Sequence, residues 1–392
     1  MRTLEGLTVV TFEHAIAAPF CTRHLADLGA RVIKVERPAA GDFARGYDTR
    51  TKGLASHFVW VNRSKESITL DIKHREAQPV LDALIAKADV VVQNLAPGAA
   101  ARLGLSWQQL SAKHPRLILC DISGYGPDGP YRDKKAYDLL IQSEAGLVSI
   151  TGTPEAPAKT GASVADIAAG MYAHSNVLAA LLRRVTTGKG SHIEVSMLEA
   201  MTEWTSYALY YTYDGAEPPA RAGASHAAIF PYGPFNAGDG ATVILAVQNE
   251  REWDSFCRTV LRQPEILANP AYGGNAQRVA AQAQLRAEIE AVFHGLTGPQ
   301  LVARLDEAGI ANARMNDMRG VWDHPQLKAR DRWTEIGSPV GPLPALLPPG
   351  MSRKDDPKMG PVPALGEHTD AILGELGFAG GDIDVLRRCG AV

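Results

Sequence analysis

The sequence has 392 residues with 40 basic and 43 acidic side chains, and its net charge of −3 includes no basic block that would indicate a nucleic-acid partner. Its composition, 45% hydrophobic and 21% charged, is typical of a water-soluble globular protein. No uninterrupted apolar run approaches the roughly 20 residues that a membrane-spanning helix needs, so we expect no membrane partner.

The N-terminus and the cysteine usage predict a cytoplasmic protein. The first residues, Met-Arg-Thr-Leu-Glu-Gly, run directly into a strand pattern without the apolar core of a signal peptide. The cysteines form no Cys-x-x-Cys pair, and we interpret all four as reduced thiols: Cys21, Cys120, Cys257 and Cys389.

The first 36 residues predict a β-α-β unit. Residues 7–12 have the pattern of a buried strand, and residues 19–28 have that of a helix with Gly29 at its C-cap. Arg31–Glu36 has the pattern of a second strand. A strand, a helix and a strand within roughly 30 residues predict a parallel sheet with a right-handed crossover.

The alternation of strands and helices continues to residue 213 and predicts a Rossmann-like, doubly wound parallel sheet. The further strands are predicted at residues 67–72, 88–93, 116–122 and Ser191–Ser196, and the helices at residues 76–87, 107–112, 164–185 and 197–213. Because 392 residues exceed what one core usually holds, we expect two domains and assign residues 1–213 to the larger one.

The rest of the chain predicts a smaller domain followed by an extended arm. Residues 214–225 are linker-like, and residues 226–322 predict a small α+β domain that begins with a hairpin. Residues 323–392 are rich in proline. We expect them to form an arm that crosses the surface and ends in a helix, residues 367–376, returning to the large domain.

Two features resemble a dinucleotide-binding site but lack its essential parts. Glu36 ends the second strand, where nicotinamide enzymes place a ribose-binding acid, yet residues 13–19 contain no Gly-rich phosphate turn. Gly124-x-Gly126-x-x-Gly129 matches the fingerprint literally, but Pro127 and Pro130 leave no room for the helix that must follow. We therefore expect no dinucleotide site.

Asp138 is the first candidate for chemistry. It lies between the Gly- and Pro-rich residues 124–130 and an apolar segment, residues 139–150, that is long enough for about three helical turns. The unpaired N–H groups of a helix start favour a negative charge. Asp138 is therefore either a plain N-cap or an anionic nucleophile, because a carboxylate can attack an acyl centre and carry it covalently.

Several motifs in the first 200 residues together resemble family III CoA-transferases, also called the CaiB–BaiF family. Each motif alone is weak, but their order along the chain is specific. They are residues 29–38 (Gly-Ala-Arg-Val-Ile-Lys-Val-Glu-Arg-Pro), Gly41-Asp42-x-x-Arg45, residues 62–71, Asn94-x-x-Pro97-Gly98, residues 123–131, Tyr137-Asp138, residues 187–190 and residues 194–197.

The resemblance implies an enzyme that moves coenzyme A from an acyl-CoA to a free carboxylic acid. It implies that Asp138 is the nucleophile and passes through an aspartyl anhydride and an aspartyl-CoA thioester. No ATP, metal or permanently bound cofactor is implied, and coenzyme A enters as the acyl-CoA substrate. The resemblance also implies an interlocked homodimer, in which each chain threads through its partner.

Further site residues follow from the same resemblance. The positions expected to contact coenzyme A are Ile16, Ala17, Arg37, Leu70, Lys73, Asn94, Arg102, Ser123, Gly124 and Tyr125. Substrate contacts are expected from Tyr137, Arg221 and His226. Because Arg221 and His226 are basic, we prefer a small dicarboxylate, with succinyl-CoA or a similar dicarboxylyl-CoA as the donor. Surface or linker roles remain alternatives for both residues.

Other functions remain as alternatives. Members of the same fold family that racemise 2-methylacyl-CoA have a histidine before the aspartate and use separate acid and base groups. Tyr137 occupies that position and favours transfer over racemisation. A CoA-binding protein without catalysis is a third possibility. No histidine pair has metal-ligand spacing, and no Gly-x-Ser-x-Gly elbow indicates an ordinary thioesterase.

Overall fold

A computed structural model describes the whole chain, Met1–Val392. Tertiary packing divides it into two units. The first contains Met1–Leu147, Thr160–Tyr207 and Gln326–Val392, and the second contains Val148–Lys159 and Ala208–Pro325. The predicted linker and small domain lie within the second unit, which also takes residues 148–159 that the sequence prediction assigned to the large domain.

A six-stranded parallel sheet forms the centre of the first unit, with the strand order β3-β2-β1-β4-β5-β6. This order and the parallel pairing confirm the Rossmann-like prediction. The order reverses between β1 and β4, and open α/β sheets bind ligands at such a switch point. The strands are β1 (Thr8–Phe12), β2 (Arg31–Glu36), β3 (Lys65–Thr69), β4 (Val90–Gln93), β5 (Ile118–Ser123) and β6 (Ser191–Ser196).

Helices cover both faces of this sheet, as a doubly wound fold requires. The helices between residues 17 and 211 are α1 (Ala17–Asp27), α2 (Ser56–Asn62), α3 (Gln78–Lys87), α4 (Ala99–Arg102), α5 (Trp107–Lys113), α6 (Asp138–Glu144), α7 (Leu147–Ile150), α8 (Val164–Thr187), α9 (Met197–Trp204) and α10 (Ser206–Tyr211). Most residues of α7 and α10 belong to the second unit. Leu25 and Val177 belong to the core on one face, and Leu81 and Ile372 belong to the core on the other.

The C-terminal segment adds two strands and three helices to the first unit. They are α16 (Pro325–Ala329), β10 (Trp333–Ile336), β11 (Leu343–Leu346), α17 (Thr369–Glu375) and α18 (Gly380–Arg388). The N–H of His368 donates to the Ser67 carbonyl at 2.9 Å, and the N–H of Thr69 donates to the Thr369 hydroxyl at 3.0 Å. Helix α17 therefore lies against β3.

The second unit is a small α+β fold with an antiparallel sheet in the order β7-β8-β9. Phe235, Leu245, Phe256, Phe293 and Leu305 lie in its core. Its elements are β7 (Tyr232–Asn236), β8 (Thr242–Ala246), α11 (Glu250–Ser255) continued by a π-helical turn, α12 (Asn275–Ala280), α13 (Gln282–Phe293), α14 (Gly298–Glu307), β9 (Ala311–Arg314) and α15 (Met318–Trp322).

Two predicted helices are each divided in the structure. The predicted helix over residues 139–150 breaks at Gly146, whose φ of +78° lies in the left-handed region that ends helices. The predicted helix over residues 197–213 breaks at Thr205. The Thr205 hydroxyl donates to the Met201 carbonyl, and bonds of this kind from a threonine to the preceding turn often bend a helix. The sequence also did not predict β9, the β10–β11 hairpin or α18.

The long helix α8 packs closely on α1 because of one glycine. A Cβ added at Gly170 would lie 2.7 Å from the carbonyl oxygen of Ala17 and 3.2 Å from the Cβ of Phe20. Gly170 is therefore required for this close approach. None of the helices in the structure combines the length and apolar character needed to cross a bilayer.

We expect Gly170→Ala to lower the free energy of unfolding by about 1–3 kcal/mol, because the new methyl group overlaps the backbone of α1. Urea denaturation measures this change. Gly374→Ala is the matched control, since a Cβ there meets no atom within 4 Å. The control should be neutral or stabilising by roughly 0.5–1 kcal/mol. Equal midpoints for wild type and Gly170→Ala would contradict the close-packing account.

Candidate active site

The predicted coenzyme A residues lie along the carboxyl edge of the parallel sheet. Ile16 and Ala17 follow β1, Arg37 follows β2, Asn94 follows β4, and Ser123 ends β5. This is the edge at which α/β sheets bind ligands. The structure therefore brings the predicted positions to one edge, and their contacts with coenzyme A stay predictions.

Three cations on this edge are exposed to solvent. Arg37, Lys73 and Arg102 make no ion pair in the structure. Exposed guanidinium and ammonium groups without a carboxylate partner are available to phosphate oxygens. Leu70 is different, because its side chain is 1% exposed and lies in the core. A contact of Leu70 with coenzyme A would therefore come from its backbone, and it stays a prediction.

Asn94 ties the first and fourth strands together across the switch point. Its Nδ2 donates to the carbonyl of His14 at 2.9 Å, and its Oδ1 accepts the N–H of His14 at 2.9 Å. These reciprocal bonds hold the turns after β1 and β4 in fixed register. Asn94 therefore has a structural role beside its predicted contact with coenzyme A.

The carboxylate of Asp138 caps a different helix from the one that it begins. Tyr137 is the N-cap residue of α6, and Asp138 is the first helical residue. Its Oδ1 accepts the N–H of Ala165 at 2.9 Å and that of Asp166 at 3.4 Å, in the first turn of α8. Ser163, the N-cap residue of α8, makes no side-chain cap. Asp138 thus supplies the missing cap from another element.

The other oxygen of Asp138 is held by a buried amide. Gln142 is 0% exposed, and its Nε2 donates to Asp138 Oδ2 at 2.6 Å. The Oε1 of Gln142 accepts both the N–H and the hydroxyl of Thr160 at 3.1 Å. Both oxygens of Asp138 are therefore fixed by donors, and the carboxylate has little freedom to move.

Asp166 is a second carboxyl group beside Asp138, and the sequence analysis did not identify it. Burial, followed by the negative charge of Asp138, raises the pKa of Asp166 to about 7, while a hydrogen bond from the Ala17 backbone acts in the opposite direction. A carboxyl group that titrates near neutrality is a mark of a functional site. Because Ala17 follows β1, Asp166 faces the switch point.

The position of Asp166 follows from the close packing of α8 on α1. Asp166 precedes Gly170 by four residues, so both lie on the same face of α8. Gly170 permits the close approach to the Ala17 backbone, and Asp166 lies about one helical turn before Gly170 on that face. The sequence does contain a signal for this residue. Asp166 precedes Ala169 by three positions and Gly170 by four, and both small residues lie on a predicted buried face.

The loop after β5 contains no helix, as predicted. A Cβ at Gly124 would overlap the Cβ of Ala136, so the two ends of the loop meet there. Inside the loop, the Ser123 hydroxyl accepts the N–H of Gly126 at 2.9 Å, and the ring of Tyr125 packs edge-on against Tyr131. The loop therefore closes on itself immediately before Tyr137.

Glu36 is unavailable to a nucleotide ribose. Its carboxylate accepts bonds from Arg45 at 2.7 and 2.8 Å, from the Ser67 hydroxyl at 2.7 Å and from the Asp42 N–H at 2.9 Å. Burial acts against ionisation, but these donors lower the pKa of Glu36 to about 2. The acid therefore has a structural role, which supports the expectation of no dinucleotide site.

The Arg221 guanidinium binds backbone carbonyl groups of its own unit. Its guanidinium donates to the carbonyls of Thr153 at 2.9 Å, Pro154 at 3.0 Å and Ser149 at 3.2 Å. These three bonds anchor residues 149–154 and leave one N–H on each terminal nitrogen. The contact of Arg221 with substrate stays a prediction.

His226 and Tyr137 are the other predicted substrate residues. The His226 ring stacks on Tyr232 with centroids 5.1 Å apart, and its Nδ1 accepts the N–H of Ala228 at 3.1 Å. Tyr137 is 64% exposed beside Asp138. Neither contact with substrate is tested by this geometry, so both stay predictions.

Comparison with known proteins identifies the family. The model of CoA-transferase family III matches residues 4–369. The chain belongs to CoA-transferase family III. It is 31% identical over 382 residues to human succinyl-CoA:glutarate CoA-transferase, covering 96% of this chain and 86% of that protein.

Two further relatives agree with this assignment. Acetyl-CoA:oxalate CoA-transferase from Acetobacter aceti is 32% identical over 375 residues, which cover 95% of each chain. The crystal structure of a CaiB/BaiF family protein from Brucella suis is similar with a TM-score of 0.85 and 34% identity, covering 96% of this chain and 99% of that one. This family III chain is accordingly a CoA-transferase, and the family implies acyl-CoA and acid substrates.

We expect Asp166→Asn to raise the thermal midpoint at pH 8 and to leave it nearly unchanged at pH 4. The folded pKa of about 7 lies above the ordinary value of 3.8, so the folded state binds more protons between these values. Stability therefore falls as the pH rises through this window, and asparagine removes the penalty.

Differential scanning calorimetry between pH 4 and pH 8 measures this effect. Asp128→Asn is the matched control, because Asp128 is exposed in the loop after β5 and forms no ion pair. A thermal midpoint for Asp166→Asn that shows no pH-dependent gain over wild type would contradict the raised pKa of Asp166.

Proposed function

We propose that this family III enzyme transfers coenzyme A from an acyl-CoA to a free carboxylic acid through a covalent aspartyl intermediate. The observation that carries the proposal is the pair of carboxyl groups, Asp138 and Asp166, at the first turn of α8. The Asp138 carboxylate is fixed by hydrogen bonds, and the Asp166 carboxyl group has a raised pKa and faces the edge of the sheet.

The first half of the reaction loads the enzyme. The carboxylate attacks the thioester carbonyl of the donor, forming a C–O bond and releasing CoA thiolate, which leaves an aspartyl–acyl anhydride. The thiolate then attacks the aspartyl carbonyl. This step breaks the anhydride, releases the donor as a free acid and leaves an aspartyl-CoA thioester.

The second half reverses these steps with the acceptor. The acceptor carboxylate attacks the aspartyl thioester, releasing CoA thiolate and forming a new anhydride. The thiolate attacks the acceptor carbonyl, which yields the product acyl-CoA and restores the aspartate. Every intermediate keeps an activated acyl bond, so the reaction needs no ATP. Backbone N–H groups such as those near Gly124 would stabilise the oxyanion at each stage.

The identity of the attacking carboxylate is the open point within this mechanism. The family resemblance assigns it to Asp138, and that assignment stays a prediction. The contacts favour Asp166, because Asp138 already accepts three hydrogen bonds from Gln142, Ala165 and Asp166. A carboxylate that burial and a neighbouring charge make more basic is also the better nucleophile. We therefore propose Asp166 as the attacking group and Asp138 as its electrostatic neighbour.

The substrates are proposed from the relatives. The human relative is named for succinyl-CoA and glutarate, and the Acetobacter aceti relative for acetyl-CoA and oxalate. We propose a short dicarboxylic acid as acceptor and succinyl-CoA or a similar dicarboxylyl-CoA as donor. This support no longer includes Arg221, whose guanidinium is bound to backbone carbonyls.

We also propose that the enzyme is a homodimer with interlocked chains, as the family resemblance implies. The supporting observation is the exposure of large apolar side chains between the end of α9 and residue 213, where Tyr210 is 80% exposed. Exposed apolar patches of this kind mark protein interfaces. The exposed side chains are Trp204, Tyr207, Leu209, Tyr210, Tyr211 and Tyr213. The cytoplasmic location stays a prediction.

Single substitutions, assayed for CoA transfer, distinguish the roles of Asp138 and Asp166. Asp166→Asn should lower kcat by at least about 1,000-fold, because it removes the proposed nucleophile. Asp138→Asn should retain measurable turnover. Because the Asp138 charge raises the pKa of Asp166, this variant should move the acid limb of the kcat/KM profile to lower pH. Loss of activity only in Asp138→Asn would reassign the attack to Asp138.

The half reaction tests transfer without knowledge of the acceptor. Succinyl-CoA and isotopically labelled free succinate should exchange label at a rate proportional to enzyme concentration, because the donor half of the cycle is reversible. Other acyl-CoA and acid pairs then define the substrates. A chiral 2-methylacyl-CoA without free acid should show no epimerisation. Epimerisation in the absence of any exchange would overturn CoA transfer in favour of a racemase.

A further inference from the structure

The side-chain amide of Gln142 is fixed in one orientation. Its Oε1 accepts the backbone N–H of Thr160 at 3.1 Å, and a backbone N–H can only donate. The amide nitrogen is therefore the end that meets Oδ2 of Asp138, at 2.6 Å. Because Gln142 is 0% exposed, water would not replace either bond if it were lost.

All three hydrogen-bond partners of the Asp138 carboxylate are donors. The backbone N–H groups of Ala165 and Asp166 donate to Oδ1 at 2.9 and 3.4 Å, and the amide of Gln142 donates to Oδ2. A proton on Asp138 would meet donors and no acceptor among these groups, whereas the ionised form accepts all three bonds. The Gln142 bond alone favours the ionised form by roughly 10- to 100-fold.

Asp166 shares this turn of α8 with the Asp138 carboxylate. Its own N–H is one of the donors to Oδ1 of Asp138, so the two residues are in direct contact. Two adjacent carboxyl groups hold one proton between them over a range of pH, because a second negative charge is unfavourable beside the first. The donors around Asp138 leave Asp166 as the group that binds this proton.

We propose that Gln142 is a positioning residue for the transfer reaction: its amide, oriented by Thr160, keeps Asp138 ionised and so assigns the single proton of the carboxyl pair to Asp166. This inference rests on the proposed function, since Asp166 is the proposed nucleophile. When the proton passes to solvent, the new anion forms at Asp166, and the charge of Asp138 does not change.

The titration of nearby groups agrees with this assignment. Burial, followed by the charge of Asp138, raises the pKa of Asp166 to about 7. Two phenols also face the pair, Tyr47 from the loop after β2 and Tyr137 beside Asp138. Burial, followed by the charges of Asp42 and Asp166, raises the pKa of Tyr47 to about 12, so Tyr47 does not take up the proton near neutrality.

Infrared difference spectra recorded from pH 8 to pH 5 test the proton assignment without any substrate. Carboxyl groups with the ordinary pKa values of 3.8 and 4.5 stay mostly ionised in this range, so a protonated-carboxyl band reports the pair. Asp138→Asn should keep the band, at lower pH than in the wild type, because burial is the larger cause of the raised pKa. Asp166→Asn should lose it. Any other pattern would overturn the assignment.

Gln142→Met tests the amide itself. Methionine is unbranched and fills a similar volume, but it cannot donate to Asp138. Asp138 then competes for the proton, and enzyme molecules with the proton on Asp138 keep an ionised Asp166. We therefore expect kcat/KM to fall less steeply below pH 7. Its value at pH 5 relative to pH 8 should be at least about 10-fold larger than in the wild type.

Gln284→Met is the matched control. Gln284 is exposed on α13 and donates to the carboxylate of Glu288, four residues away, at 3.2 Å, so the variant removes the same kind of bond outside the site. Its pH profile should match the wild type. In an Asp138→Asn background, adding Gln142→Met should leave the acid limb unchanged, because no carboxyl group remains for the amide to hold. An equal shift in both backgrounds would overturn the positioning role.

The outcomes separate this inference from the proposed function. If the wild type transfers coenzyme A and folded Gln142→Met keeps the wild-type pH profile, the positioning role is overturned while the transfer reaction stands. If Gln142→Met does not fold, the infrared pattern of the two aspartate variants decides the assignment. If the wild type shows no transfer with any acyl-CoA and acid, the proposed function is overturned, and the infrared spectra still decide which carboxyl group holds the proton.

Discussion

The carboxyl groups of Asp138 and Asp166 both lie at the first turn of α8. The chemistry of the site depends on which of them binds the free N–H groups of that turn. Asp138 takes the free N–H groups of α8, so its charge is stabilised and its position is fixed. Asp166 lies in the same turn without those donors and beside that charge, and its pKa rises to about 7 through burial and then through Asp138. The same arrangement thus fixes the position of one carboxyl group and makes the other more basic.

The rest of the first unit fixes this pair in place. Gly170 allows α8 to approach α1, and Gln142 donates a hydrogen bond to Oδ2 of Asp138. The buried ion pair of Lys34 and Asp42 contacts the turn before α1. Buried ion pairs are weak evidence for stability, because the cost of desolvation offsets much of their attraction. Here they hold the turn between β1 and α1, at the switch point of the parallel sheet.

The fold was largely predictable from the sequence, because buried parallel strands such as Thr8–Phe12 and Val90–Gln93 are short, mostly apolar or β-branched runs bounded by turn residues. The position of the candidate site at the carboxyl edge of the sheet was also predictable, because Arg37 and Asn94 follow predicted strands and Ser123 ends a strand. Asp166 was missed because its role comes from packing between two helices. The backbone contacts of Arg221 could not be predicted, because its carbonyl partners lie about 70 residues away in sequence, where charge patterning gives no signal.

The most direct measurement is chemical trapping of the loaded enzyme followed by peptide mapping. Enzyme incubated with acyl-CoA and quenched with hydroxylamine should carry a hydroxamate at one aspartate. Trypsin cleaves after Lys135, Lys159 and Arg183, so Asp138 and Asp166 fall in different peptides. The account predicts modification of Asp166 in the peptide that spans residues 160–183. Turnover with neither peptide modified, under conditions that trap a known aspartyl thioester, would contradict the covalent mechanism.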